Sequence, residues 1–73
     1  MKKYIVYTKE NGKIETSNYS SISPLTIHKL DGPAIHAFYS NGKLNYTAYY
    51  INDVWYTKSD YEAEIFKMNL SLL

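Results

Sequence analysis

Residues able to do chemistry are few in this sequence, and the first question is whether any of them converge. His28 and His36 are the only imidazoles, Asp31 lies between them in the chain, and there is no cysteine. A metal centre or an acid/base site needs a third converging ligand or nucleophile, and an outer partner to orient the imidazole. The pattern supplies neither. No nucleophile has a base beside it, so both histidines are read as structural or loop residues. The expectation is a chain that is not an enzyme, with no catalytic residue, metal ligand set or cofactor site. Function then has to rest on binding.

The residue types suited to binding are aromatic. Nine tyrosines and one tryptophan are more than a core of this size encloses. Tyr39, Tyr46, Tyr49, Tyr50, Trp55 and Tyr56 lie in strand-like runs, where paired rings stabilise a sheet as cross-strand ladders. Rings left exposed would instead form a platform, either an interface hot spot or a stacking surface for bases. The candidate partner-binding residues are therefore Tyr39, Tyr46, Tyr49, Trp55 and Tyr56, with Lys43 and Lys58 as a cationic rim. Eight lysines, no arginine and seven acidic residues leave a formal charge of +1. Nucleic-acid modules carry a strong basic footprint and favour arginine for bidentate contacts, so nucleic acid or a nucleotide ranks below a protein partner.

The elements that must position these rings are marked by turns. Asn11-Gly12, Asp31-Gly32, Asn41-Gly42 and Asn52-Asp53 recur at about ten residues or multiples of ten. These pairs tolerate the positive φ of a two-residue hairpin turn. Lys3 to Thr8 is β-branched or aromatic at almost every position and reads as a strand. It turns at Asn11-Gly12 into a return strand over Lys13 to Tyr19. Serines at 17, 20, 21 and 23, closing at Pro24, make a polar joint. Pro33 lacks a backbone donor and suits the start of a strand over Ala34 to Tyr39. Asn41-Gly42 then leads into Leu44 to Ile51, and Asn52-Asp53 into Val54 to Tyr56. The predicted fold is mainly β: an antiparallel β-meander of about five strands with a C-terminal α-helix.

The period changes in the last fifteen residues. Ser59-Asp60-Tyr61-Glu62 reads as a capping box with Ser59 at the N-cap, and Tyr61, Ile65, Met68 and Leu72 recur at helical spacing. The helix is expected over about 60–70. Seventy-three residues make one small domain, divided into a first hairpin (1–19), a loop (20–32), a meander (33–57) and a capping helix with its tail (58–73). A domain of this size buries only about 60% of its unfolded surface and has no disulfide to compensate. A homo-oligomer is expected, with Phe66, Leu70, Leu72 and Leu73 at its interface. The apolar stretch at the N-terminus is too short for a signal peptide and no later run could span a bilayer, so a cytoplasmic location without membrane association is expected. Asn, Ile, Lys, Phe and Tyr, all with AT-rich codons, supply 32 of the 73 residues. That bias suits an AT-rich bacterium or bacteriophage.

One stretch has the look of a family. His28-Lys29-Leu30-Asp31-Gly32-Pro33-Ala34-Ile35, then Tyr39-Ser40-Asn41-Gly42-Lys43, then Tyr49-Tyr50-Ile51-Asn52-Asp53, resembles the MORN-like repeats of bacteriophage and bacterial proteins. The likeness covers residues 28–62, about half the chain. Lys9-Glu10-Asn11-Gly12-Lys13 resembles a degenerate earlier copy, whereas Ser20 to Thr26 departs from the pattern. The resemblance implies β-hairpin repeats used for protein contacts and carries over no catalytic residue. Combined with the residue-level reading, it leads to a non-enzymatic phage accessory protein, acting in the bacterial cytoplasm, that inhibits or redirects a host defence protein by direct contact. The alternative is a homo-oligomer that sequesters a nucleotide or oligonucleotide between tyrosine platforms, with Lys43, Lys58 and His36 nearby.

Overall fold

Five antiparallel strands form one sheet and a single α-helix follows them in the computed structural model, which describes residues 2–71. The strands are β1 (Lys3–Thr8), β2 (Gly12–Thr16), β3 (Ile35–Phe38), β4 (Leu44–Ile51) and β5 (Val54–Tyr56), and the helix is α1 (Lys58–Ser71). The fold class matches the one expected from the sequence. Its hairpin turns lie at the Asn-Gly and Asn-Asp pairs, where Gly12, Gly42, Asn52 and Asp53 take φ of +64°, +88°, +49° and +70°. Two successive positive φ values make Asn52-Asp53 a type I′ turn, whose twist matches that of its flanking strands; the Asn-Gly pairs are not the two-residue turns expected, since Thr8 pairs with Gly12 and Phe38 with Leu44, leaving connections of residues 9–11 and 39–43.

The sheet order is β2-β1-β3-β4-β5. β3 to β5 run as a meander, while β1 sits between β2 and β3, so residues 17–34 must cross from one side of β1 to the other. β2 stops at Thr16 rather than continuing to Tyr19, because local side-chain bonds replace the ladder there. Thr16 Oγ1 accepts from Asn18 N at 3.0 Å, and Asn18 Oδ1 accepts from Ser20 N at 3.1 Å, opening a 3-10 turn over Tyr19–Ile22.

The crossing segment covers one face of the sheet and supplies its core. The strand registers place Tyr4, Val6, Ile14, Ile35, Ala37, Tyr46, Ala48, Tyr50 and Trp55 on that face. Ile22 and Ile27 of the crossing segment pack with Val6, Ala34, Ile35 and Ala48, and Leu25 adds to the rim. Burying each large aliphatic side chain contributes about 1.5–3 kcal/mol. The segment is also tied by its backbone: His28 N donates to Tyr7 O at 3.0 Å and Lys29 N to Tyr50 O at 3.1 Å. Residues 27–29 thus fill the gap between the ends of β1 and β4, above the start of β3. Asp53 locks them there. Its N donates to Ile27 O at 2.8 Å, and its Oδ1 accepts from Ile27 N at 2.9 Å.

The opposite face carries Ile5, Tyr7, His36, Tyr49, Ile51 and Tyr56, and α1 packs on it over β4 and β5. The helix starts earlier than the capping box suggested. Thr57 Oγ1, not Ser59, accepts from a helical amide, Asp60 N at 3.1 Å, because β5 ends at Tyr56 and leaves Thr57 as the residue between strand and helix. Tyr61 is the helix's buried side chain. Its ring lies 4.6 Å from that of Tyr49, and its hydroxyl sits between Lys29 O (2.7 Å) and Gly32 O (3.0 Å) while accepting from Gly32 N at 3.2 Å.

Candidate functional site

The aromatic residues split between the two faces, and only one face gathers them into a surface. On the loop-covered face, Tyr4 and Tyr46 flank Ala37 on adjacent strands. Ala37 ends at its Cβ yet is buried, which places the two tyrosines as its cover. Tyr19, carried in by the 3-10 turn, meets Tyr4 edge to face with centroids 5.4 Å apart. Tyr50 stands opposite Trp55 across β4 and β5. The result is a strip of Tyr19, Tyr4, Tyr46, Tyr50 and Trp55 running across the sheet. Trp55 is 58% exposed and Tyr46 47%.

The strip is electrically neutral. None of the strand residues placed on this face beside the rings is charged. Burial pushes the Tyr19 phenol up to about 12, with the Tyr50 hydroxyl beside it as the next cause. Tyr46 is raised by burial as well, and then by Tyr4 and Tyr50. Both remain neutral phenols near pH 7, able to donate and accept hydrogen bonds. Next to them a recess of about 220 Å³ is lined by Tyr19, Ile22, Pro24, Leu25, Ile27 and Asp53. A surface of this kind can stack flat groups and hydrogen-bond a polar rim.

Of the residues singled out from the sequence, Tyr46 and Trp55 belong to the strip. Tyr49 and Tyr56 lie on the opposite face, where Tyr49 is packed under Tyr61. Tyr39 and Lys43 form the base of the β3–β4 turn, joined by a 2.8 Å bond from Tyr39 N to Lys43 O, and Lys58 opens α1. The expected set is therefore not one surface. Tyr4 and Tyr19 were missed. Tyr4 carries a sequence signal, since it alternates in phase with the buried Val6; Tyr19 has none, because only the crossing segment brings it to the strip.

Phe66 and Leu70 are exposed on α1, and Phe66 borders a cleft of about 370 Å³ against Leu30 and Gly32. Leu72 and Leu73, the other expected interface residues, lie outside the described residues. His28 has a structural partner: its Nδ1 accepts from Asn52 N at 3.0 Å, and burial holds its pKa below the usual imidazole value. His36 stands edge to face with Tyr7 at 6.3 Å, and the Lys29 ammonium lies 3.5 Å from the centre of the same Tyr7 ring. Among the described residues no group of three His, Asp or Glu is placed to hold a metal ion, and no helix is long and apolar enough to cross a membrane.

No family model, curated protein or solved structure matches the chain.

Proposed function

We propose that this chain is a small protein-binding module that acts by contact, and that its partner docks on the neutral aromatic strip. The observation that carries this reading is the exposure of Tyr19, Tyr46 and Trp55 on one face of the sheet, joined into a strip by Tyr4 and Tyr50. Tyr and Trp supply a large contact area at low entropic cost and are enriched among interface hot spots. The MORN-like resemblance over residues 28–62 and the AT-rich residue usage support a more specific version: a bacteriophage accessory protein that inhibits or redirects a host defence protein. The test begins with the partner recovered from host lysate and re-made in pure form. Calorimetry with Trp55→Ala or Tyr46→Ala is expected to show about 2 kcal/mol or more of lost affinity, with only a modest salt effect, since the strip carries no charge. Retention of full affinity by both variants would sink the docking site. A competing reading, sequestration of a nucleotide by the same rings, predicts marked thermal stabilisation by mononucleotides, cyclic dinucleotides or short oligonucleotides. The protein-binding reading expects none.

A further inference from the structure

The two edges of the sheet are unequal. β2 is guarded in the ordinary way, with Lys13 and Glu15 projecting from it and an ion pair of 3.6 Å between Lys3 and Glu15. Charges of this kind keep an edge from pairing with another chain. β5, the other edge, reads Val54-Trp55-Tyr56: it has no charge, no proline and no bulge, and both Val54 and Trp55 are more than half exposed.

The register shows which main-chain groups this bare edge offers. In a two-residue hairpin the residues flanking the turn, here Ile51 and Val54, exchange both hydrogen bonds, and the next pair along does not. That next pair is Tyr50 and Trp55. The carbonyl of Tyr50 indeed points the other way, accepting from Lys29 N. Trp55 therefore turns both its N–H and its C=O away from β4, toward the open edge. An antiparallel strand set against β5 finds its hydrogen-bonding site at that residue.

We infer that the strand that pairs there is β5 of a second copy of this chain, with the two-fold axis passing beside Trp55 so that each Trp55 exchanges both backbone bonds with its equivalent. Charge on α1 favours this occupant. Glu62, Phe66 and Asn69 line the cleft against Leu30 and Gly32. At 100° per residue Asp60, Glu64 and Lys67 fall on the opposite flank of the helix; since α1 lies over β4 and β5 and its cleft flank meets residues 30–32, on the β3 side of β4, this opposite flank is the one nearer β5. Pairing across the two-fold axis keeps both helices on one face of a ten-stranded sheet and runs them antiparallel. Lys67 near the end of each helix then approaches Asp60 and Glu64 near the start of the other. Within one chain Lys67 is 3.7 Å from Glu64 and largely exposed. A three-residue edge and one helix flank bury less than the roughly 800 Å² per partner of a standard interface, so the dimer belongs to the weak, concentration-dependent class. The inference does not depend on the proposed function, since an aromatic strip can serve a partner in a monomer or in a dimer.

Sedimentation equilibrium of the full chain from micromolar to millimolar concentration tests it. The native chain is expected to pass from monomer to dimer. Val54→Lys, which charges the edge, should raise the midpoint concentration at least tenfold. Lys67→Glu should weaken association, and the triple variant Asp60→Lys, Glu64→Lys and Lys67→Glu, which reverses both partners as well, should restore it, a rescue that general apolar stickiness would not give. Because the chain has no cysteine, Trp55→Cys provides a second readout: a symmetric disulfide dimer on mild oxidation. Circular dichroism confirms that each variant is folded. A native chain that stays monomeric throughout overturns the inference. So does a dimer insensitive to Val54→Lys but lost in Phe66→Glu, which would move the interface to the Leu30 cleft.

Discussion

The two faces of the sheet are covered by opposite means. On one, an irregular segment with serines at four positions delivers Ile22 and Ile27 into contact with Val6 and Ile35, and its backbone bonds to both β1 and β4. On the other, a regular helix of 14 residues buries Tyr61, half-buries Ile65 and Met68, and leaves Phe66 and Leu70 in solvent. Regular structure is not what makes a cover hold. What decides it is how many side chains are buried and how many backbone groups are tied to the strands, and on both counts the loop exceeds the helix among the described residues.

That contrast can be broken most directly from the loop-covered side. Ile35 is among the fully buried side chains, and Ile35→Ala is expected to cost about 2–5 kcal/mol, read as a lower denaturation midpoint with the slope unchanged. On the helix side, Tyr61→Phe keeps the ring on Tyr49 and removes only the hydroxyl that serves Lys29 and Gly32. The expected loss is about 1–2 kcal/mol, with amide exchange quickening in α1 and residues 29–32 ahead of the rest. If exchange quickened evenly over the whole chain, the helix would be as firmly integrated as the loop, and the contrast would fail.

Turn chemistry sharpens the comparison at a smaller scale. Gly42 has φ +88° and no atom within 4 Å of where a Cβ would stand, so Gly42→Val tests conformation without a clash. It should lower stability by about 1 kcal/mol or somewhat more; an unchanged melting curve would mean that the β3–β4 turn does not set the register.

The smallest expected effect is a pH dependence. The His28 pKa is depressed by burial, and then by Lys9, from its ordinary 6.5; protonation also places a proton on the Nδ1 that accepts from Asn52 N. A depressed folded-state value means that the unfolded chain binds more protons. The contribution of His28 is therefore present above about pH 6.5 and is lost as pH falls through the lower folded value. Replacing His28 by Gln should flatten that part of the stability profile, and an identical profile would remove His28 from the account.

What the sequence discloses follows the range of the physics. Asn11-Gly12, Asn41-Gly42 and Asn52-Asp53 are legible because a turn is decided by two or three neighbouring residues. The strands between them are legible for the same reason, and so is the helical period after Tyr56. The placement of β1 between β2 and β3 is not, since strands compete for partners far apart in the chain. Residues 20–32 mislead on their own: the serines advertise a solvated loop, while the isolated Ile22, Leu25 and Ile27 become core only once the segment lies over β1. The aromatic strip was half legible. Tyr46 and Trp55 follow from alternation within a hairpin, which also turns Tyr49 to the other face, where α1 covers it, whereas Tyr19 joins the strip through the long crossing.

The order of the strands also governs how the chain can fold. Each of the hairpins β1–β2 and β3–β4 is local and can close on the microsecond scale, yet neither completes a core alone: Val6 belongs to the first and Ile35 to the second. The slow step expected from this order is the meeting of the two ribbons along β1 and β3, with residues 17–34 as the tether whose closure it requires. That tether also carries Ile22 and Ile27, so the same apolar contacts that seal the finished core close the gap between the ribbons. Until they meet, the inner edges of β1 and β3 stand open as well, and the folding chain offers four unpaired edges where the finished sheet offers two, β2 and β5.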